Sequence, residues 1–504
     1  MKVVTPKVMA ALEQKAYQAG HKEEEFMEKA GKGIAQATAK FVEDLGLDSQ
    51  VTLLCGKGNN TGDAYVAGRY LLEIGYRVHA IQIVDIEKAG QLCKENHDRF
   101  LEEGGKVDTE PYFPETGVIL DGLFGTGFHG TLGEPFSSLV EKANLSGLPI
   151  VAIDIPSGLN GETGEVEGTA IKAALTVSLG LPKKGFFFND GWDYVGKLAY
   201  ADFGLPETLI TEAASTLRIK EPKTIIHALP KMEASRHKYQ AGVVAIWAGS
   251  PGMPGAALLA GSAALRSGAG LVRLLHPHGM ECELSSSLYE LIKVGYDYHD
   301  PDAILSHLNK ANSSCIGPGI GRQDEMRKLL KDLLPKIEKP CVIDADALTL
   351  IAEEGCAFPK STIITPHKGE MKRLLGGEEV TLERCQEYVN LHQVTLVLKG
   401  GPTFLLFPNE SNQYINPHGD PGMATAGTGD VLSGMIAAFL AEGLSLREAA
   451  FLGVYLHSLA GEEAAKKKTS TCMIASDIIE ALPLIFQSQV ALQPPLEQKD
   501  SHHP

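Results

Sequence analysis

The sequence predicts an α/β protein built as two successive domains with mostly parallel sheets. Three observations carry that expectation. Short, nearly continuous apolar runs alternate with segments of helical apolar spacing, the pattern of strands covered by helices on both faces. The 504-residue chain is longer than one ordinary hydrophobic core supports. Two glycine-and-aspartate motifs, Gly56-Lys-Gly-Asn-Asn-Thr-Gly-Asp63 and Ala426-Gly-Thr-Gly-Asp430, each read as closing an α/β unit of their own.

In chain order, the first residues read as a short strand or turn and then a helix. Residues 22–45 have helical spacing, 51–55 form a compact apolar strand, 63–74 read as helix and 78–84 as strand. Strands at 118–124, 149–155, 175–179 and 197–201 complete the first sheet. The stretch 206–238 is charged, proline-containing and weakly patterned, so the boundary is placed near 217–224, giving domains 1–217 and 225–486. In the second domain, 243–247, 271–276, 341–344, 362–365, 396–399 and 403–407 read as strands, and 256–267, 426–442 and 446–466 as helices. The polar end, 487–504, reads as a disordered tail.

Composition excludes several classes. The net charge of −17 argues against a duplex-wide nucleic-acid footprint, which needs clustered Lys and Arg. It leaves room for a nucleotide ligand, since backbone amides supply positive potential locally. The eight cysteines include no C-x-x-C pair, which favours reduced thiols over a metal site or disulfide framework. Glu13, Gln14 and Lys15 interrupt any signal-peptide core, and no apolar run reaches membrane-spanning length. A cytoplasmic protein with neither membrane nor nucleic-acid partner is expected, as a homo-oligomer.

Gly56 and Gly58 follow a strand and open a helix, the context of a phosphate turn; Gly62 arrives one residue late for a dinucleotide fingerprint. Asn59, Asn60 and Asp63 add carboxamide and carboxylate oxygens able to ligate a hard cation, and amide donors for a ribose or phosphate. The plainer alternative is a strand, turn and helix with Asn and Asp as caps. Asp121-Gly-Leu-Phe-Gly125-Thr126-Gly127-Phe128-His129-Gly130 follows a second strand and contains a formal G-x-G-x-x-G, a second candidate phosphate loop; His129 reads equally as a loop residue without chemistry. Asp154-Ile-Pro-Ser157-Gly158 ends a third strand, where ligands of open α/β sheets bind, or else forms a capped turn.

In the second half, Gly427 and Gly429 precede an apolar helix, so their amides form an anion hole with Asp430 beside it, able to take a proton from an attacking hydroxyl. Lys399-Gly400-Gly401-Pro402-Thr403 joins two strands and suits a nucleotide. Thr365-Pro-His367-Lys-Gly-Glu370 ends another strand, with Glu370 suited to a magnesium-bound water and His367 to a substrate. Gly317-Pro-Gly319-Ile-Gly321 follows the apolar Cys315-Ile316, and Asp344-Ala-Asp346 ends a further strand.

AGTGD, TPHKGE, GPGIG and the run from Gly255 to Gly270 resemble the ribokinase-like dehydratase that repairs hydrated NADH and NADPH. NNTGD, DGLFGTGFHG and DIPSG resemble the partner NAD(P)H-hydrate epimerase, and their order resembles the fused bifunctional repair enzymes. The resemblance implies a Rossmann-like open sheet followed by a ribokinase-like α/β domain. It implies that Asn59, Asn60, Thr61, Gly62, Asp63, Gly125 to Thr131 and Asp154 bind the hydrates (NADHX and NADPHX) in the epimerase. Asn60, Asp121 and Ser157 would hold potassium. Ala256, Gly319, His367 and Asp430 would contact the dehydratase substrate, and Lys399 to Thr403 with Gly429 would hold ADP. Thr61 stands where the family usually has a glycine, and Ala64 replaces another.

The expected activity is epimerisation of R and S hydrates in the first domain. In the second, ADP-dependent, magnesium-assisted dehydration of the S hydrate yields NAD(P)H, AMP and phosphate. Asp430 is the base there, and Asp154 the first choice for proton transfer in the epimerase. The alternative is a ribokinase-like kinase of a small alcohol joined to a non-catalytic ligand-binding module.

Overall fold

The computed structural model describes residues 1–285 and 287–490, and of Val490 the backbone alone. The chain divides into two compact units after Arg218.

The first unit is built on a seven-stranded sheet. From edge to edge it runs Lys106–Asp108, Arg77–Gln82, Gln50–Cys55, Val118–Gly122, Ile150–Ile153, Leu175–Leu179 and Lys197–Ala201, every neighbour parallel. Strand alternation gives the sheet two apolar faces. Val51, Leu53 and Cys55 pack on one face with Ile34, Tyr65 and Phe100 from the helices Glu23–Leu45, Asn59–Glu73 and Gln91–Glu102. Leu54, Ile81 and Ile119 pack on the other with Leu139 and Val140 from the helix Phe136–Leu145. Each fully buried Leu or Ile of this kind contributes about 1.5–3 kcal/mol. The chain winds outward in both directions from Gln50–Cys55, so the connections leaving that strand and Val118–Gly122 part to opposite faces. A crevice therefore opens at their carboxyl ends.

The second unit's sheet has the same winding with more strands. Leu291–Tyr296, Leu271–Pro277, Val243–Trp247, Ser313–Ile316, Cys341–Ile343, Thr362–Ile364 and Thr395–Leu398 are parallel. Thr403–Leu406 and Gln413–Asn416 then add antiparallel. The helix Thr428–Ala441 is buried at every residue from Val431 onward, as its apolar, small-residue composition dictates. Gly434 lets it touch the helix Pro254–Arg266 at backbone distance, since a Cβ there would stand 2.1 Å from the Ala260 carbonyl oxygen.

Several expectations need correction. The helix expected from residue 63 begins at Asn59, because Gly58 takes the extended N-cap conformation straight after the strand. Lys106–Asp108, Leu291–Tyr296, Ser313–Ile316 and Gln413–Asn416 are strands that apolar runs did not announce; Leu291–Tyr296 is an edge strand whose Ile292, Lys293 and Gly295 are exposed or half-buried. The weakly patterned stretch holds two short helices, Glu207–Glu212 and Pro222–Ile226. The helix Ala475–Val490 runs into the expected tail; the rest of that tail lies outside the described residues.

Candidate active sites

A cleft of about 460 Å³ lies at the carboxyl ends of the first sheet, where the winding order reverses. Asn59 to Asp63 form the first turn of the helix there, so the expected phosphate turn is the helix N-terminus itself. Asn59 donates to Glu23 Oε1 at 2.7 Å. Asn60 donates to the carbonyls of Phe124 (2.8 Å) and Ile153 (3.2 Å), and its Oδ1 faces Gly125, where a Cβ would come within 3.2 Å. Thr61, the departure from the family pattern, is buried and structural. Its hydroxyl accepts from Gly56 N and donates to Gly122 O, both at 2.8 Å, tying two strand ends together. Ala64 packs against Gly122, where a Cβ would meet the Ala64 methyl at 2.6 Å. Gly62 sits under the Met27 thioether.

Asp121 is fully buried and accepts from Ser157 N (2.8 Å), Ser157 Oγ (2.7 Å) and Leu123 N (3.2 Å). Burial raises its carboxyl to about 6 against the opposing pull of those hydrogen bonds. Ser157 Oγ in turn accepts from Phe124 N at 3.0 Å. Asn60 and Ser157 thus meet at Phe124, and Asp121 holds Ser157. Their oxygens, with the carbonyls nearby, form a donor set suited to a hard monovalent cation.

Asp154 is held in the left-handed region at φ 63°, a conformation that costs a non-glycine residue free energy and that recurs at functional sites. Its carboxylate pairs with Lys183, whose side chain is fully buried, and accepts from Leu179 N at 3.1 Å. Lys183 also donates to Leu179 O at 2.9 Å. The cleft wall continues through Gly125, Thr126, Gly127 and Phe128, and Phe124 lies between Phe128 and Phe136 at ring separations of 5.3 and 4.7 Å. His129, Gly130 and Thr131 are exposed and do not line this cleft. No helix opens directly after the G-x-G-x-x-G, so that loop lacks the helix N-terminus expected of a phosphate grip. The sequence reading missed Glu13, which lines the cleft, and Lys183, which is buried beneath Asp154. Burial and the neighbouring Asp154 raise Glu13 to about 7, with Lys183 pulling the other way.

In the second unit, Gly427 caps the helix Thr428–Ala441 at φ 91°, a left-handed position that glycine takes without strain. A Cβ on Gly429 would stand 2.9 Å from Lys399 Nζ, so the lysine approaches the helix N-terminus through that glycine's missing side chain. Lys399 pairs with Asp344 at 2.7 Å. Burial lowers the lysine, but Asp344, Glu370 and Asp430 outweigh it and the ammonium is held charged. Asp344 also accepts from Ala345 N (2.8 Å) and Ser433 Oγ (2.7 Å), which fixes it from the side of the same helix. Asp430 is raised to about 7 by burial and then by Asp344, with Lys399 opposing.

The backbone under Asp430 is held by His457, which the sequence reading missed. Its Nε2 donates to Thr428 O at 2.9 Å, and burial lowers it to about 4, keeping the ring neutral. His367 and Glu370 form a capping box on the helix Lys368–Leu374. His367 Nδ1 accepts from Gly369 N (3.0 Å) and Glu370 N (3.3 Å), so its ring proton is on Nε2, 3.5 Å from Glu370 Oε1, while Glu370 Oε2 accepts from His367 N at 2.9 Å. Gly319 and Ala256 adjoin one another: a Cβ on Gly319 would meet the Ala256 methyl at 3.1 Å, and Ser250 Oγ donates to Gly319 O at 2.8 Å. Beside them a cavity of about 550 Å³ is lined by Ser250, Met253, Tyr298, Gly321, Arg322 and Asp346. Gly400, Gly401 and Pro402 make the turn between two antiparallel strands, with Thr403 Oγ1 donating to Gly400 O at 3.2 Å.

Among the described residues, no helix is long and apolar enough to cross a membrane, and no three His, Cys, Asp or Glu side chains stand together as a direct metal site.

Residues 244–484 match the model of the NAD(P)H-hydrate dehydratase family, and residues 23–185 that of the YjeF-related protein N-terminus. A bifunctional NAD(P)H-hydrate repair enzyme of Moorella thermoacetica is 35% identical, with 92% of each chain covered. That of Coxiella burnetii is also 35% identical, over 94% of this chain and 97% of the relative. A crystal structure of a ribokinase-like superfamily protein from Enterococcus faecalis matches at a TM-score of 0.51 and 29% identity, covering 55% of this chain and 97% of its own. The chain is thus an α/β enzyme with a ribokinase-like unit behind a Rossmann-like one, and it belongs to the family of bifunctional NAD(P)H-hydrate repair enzymes.

Proposed function

We propose that residues 1–217 interconvert the R and S hydrates of NADH and NADPH, and that residues 225–486 dehydrate the S hydrate at the expense of ADP. The observation that carries the second assignment is the placement of Asp430 on a glycine-opened helix N-terminus beside the Lys399–Asp344 pair. Hydroxide is a poor leaving group, so the ring hydroxyl must first be activated. Asp430 takes its proton as the oxygen bonds to the terminal phosphoryl of ADP and AMP departs. The amides at Thr428 and Gly429 and the Lys399 ammonium face the charge that develops. Phosphate then leaves the ring carbon, a proton leaves its neighbour, and the double bond returns. Lys399, Gly400, Gly401, Pro402, Thr403 and Gly429 form the nucleotide seat. Ala256, Gly319 and His367 form the hydrate seat, His367 offering its Nε2 proton.

Asp344, Asp346 and Glu370 all raise Asp430, against the two cations Lys399, paired with Asp344, and Arg322, beside Asp346. That excess of negative charge suits a magnesium ion held through water by Glu370 and by nucleotide phosphates, as this ion prefers. When bound, it would neutralise phosphate charge. In the first unit, Asn60 Oδ1, Asp121 and Ser157 Oγ suit potassium, which would fix the loop ends. Asp154 serves proton transfer at the ring. Asn59, Asp63 and Gly125 to Phe128 wall the substrate, while Thr61 and Gly62, both buried, shape the turn beneath it.

The test mixes the protein with both hydrate epimers, magnesium and either ADP or ATP, and follows the return of reduced-nicotinamide absorbance. Complete recovery is expected with ADP. Recovery of the S fraction alone would remove the epimerase assignment, and no recovery with either nucleotide would remove the dehydratase assignment.

A further inference from the structure

The first unit's reaction inverts one carbon, and that fact asks more of the cleft than Asp154 supplies. The R and S hydrates differ at the ring carbon that carries the hydroxyl, next to the ring nitrogen. Inversion there requires oxygen to leave from one face and return on the other. One group fixed on one face cannot protonate the departing oxygen and also deprotonate water arriving opposite. Asp154 is fixed: its backbone is left-handed, and its carboxylate is pinned by Lys183 and by Leu179 N.

We propose that Glu13 is the second proton-transfer group of this cleft, working from the helix side while Asp154 works from the sheet side. Glu13 belongs to the helix Pro6–Gln18, which Thr5 caps by accepting from Val8 N at 3.2 Å, so its position is set by a regular element. It lines the same cleft as Asp154, Asn60 and Gly125. The charged and titratable groups acting on it come from three directions. They are Asp154 and Lys183 from the sheet ends, Glu23 from the next helix, and Asp63 and Tyr17, both of which Glu13 raises in turn. A carboxyl so surrounded exchanges its proton near neutrality, as a shared acid and base must.

The step balances without an added reactant. The Glu13 carboxyl gives its proton to the hydroxyl, the carbon–oxygen bond breaks, water departs, and the nitrogen lone pair forms a carbon–nitrogen double bond. Water then adds to the other face, the double bond returns its pair to nitrogen, and the surplus proton passes to Asp154. In the opposite sense the two carboxyls exchange roles.

This role rests on reading the cleft as the epimerase site, and the experiment separates the two. Full-length wild type, Glu13→Gln and Glu13→Asp are given the R hydrate alone. Epimerisation is measured as conversion to S over the spontaneous rate, with dehydration of pure S hydrate as the internal control. If wild type does not accelerate conversion, the epimerase reading falls and the role of Glu13 with it. Given an active wild type, Glu13→Gln is expected to lose about 100-fold or more in kcat with KM within about threefold. Its S-hydrate dehydration should be unchanged, and Glu13→Asp should recover part of the loss. Conversion by Glu13→Gln within about threefold of wild type, or a loss confined to KM, overturns the proposal. If Glu13→Gln fails to fold, Glu13→Asp decides: an altered pH profile of kcat supports the role, and a profile like wild type's overturns it.

Discussion

The two glycine-and-aspartate turns look alike as sequence and differ as structures. In Gly56–Asp63 the glycine before the helix, Gly58, has an ordinary extended backbone at φ −96°, and a Cβ there would meet nothing within 4 Å. In Ala426–Asp430 the corresponding Gly427 is left-handed at φ 91°, and a Cβ would lie 2.4 Å from Leu259 Cδ1. The first turn is held by side chains: Thr61 ties two strand ends, and Asn60 bonds two carbonyls. The second combines a left-handed glycine and close packing with Thr428 Oγ1 donating to Met423 O and Thr425 O and His457 holding Thr428 O. A shared composition therefore reports a shared position at the start of a helix, directly after a strand in the first case and after the turn Pro421–Met423 in the second, without a shared means of support.

The largest effect expected from separating the two sites is catalytic. Asp430→Asn should lose roughly 10²–10⁴-fold in dehydration and keep epimerisation of R to S. Equal loss of both in a steady-state assay would count against separate sites. Next, Lys183→Ala leaves Asp154 buried and unpaired, and should destabilise the first unit by about 3–5 kcal/mol; denaturant unfolding followed by circular dichroism checks this. Gly427→Ala should cost about 1–2 kcal/mol from its backbone alone, and more from the clash with Leu259. Gly58→Ala should cost under about 1 kcal/mol. Thermal melts of the two variants that came out alike would dissolve the contrast drawn above.

Two pH effects follow. Asp430 stands near 7 and acts as a base, so dehydration should rise roughly tenfold between about pH 6 and pH 8. A pH–rate profile flat across that range would remove Asp430 as the titrating base. Glu13, raised from 4.5 to about 7 on folding, binds protons more tightly in the folded state. Its contribution is complete at low pH and is lost as pH rises through about 7. Melting of the first unit should fall over that range, and Glu13→Gln should flatten the fall.

What the sequence disclosed was position along the chain, and what it withheld was convergence. Apolar runs located most parallel strands because burial on both faces leaves an unbroken Val, Ile and Leu signal. Leu291–Tyr296 escaped because its outer residues are exposed at the sheet edge. Asp121 and Asp154 were legible because each lies at the carboxyl end of a strand, and Asp430 because it opens an apolar helix. Lys183 was not, since nothing local separates it from Lys184, although one is fully buried and the other is not. Glu13 reads as one charge on an amphipathic helix, and His457 as one polar residue on a long one. Their partners lie far along the chain, at Asp154 and at Thr428.

The antiparallel pair appended to the second sheet has a thermodynamic corollary. The turn from Lys399 to Thr403 is anchored at both ends by hydrogen-bonded strands, whereas the Gly125–Phe128 wall lies within the loop 123–135 that joins a strand to a helix. A ligand settling on the hairpin freezes few backbone torsions that were not already frozen; one settling on the loop must still them. Calorimetry should register that asymmetry as a larger unfavourable entropy for the hydrate in the first unit than for the nucleotide in the second.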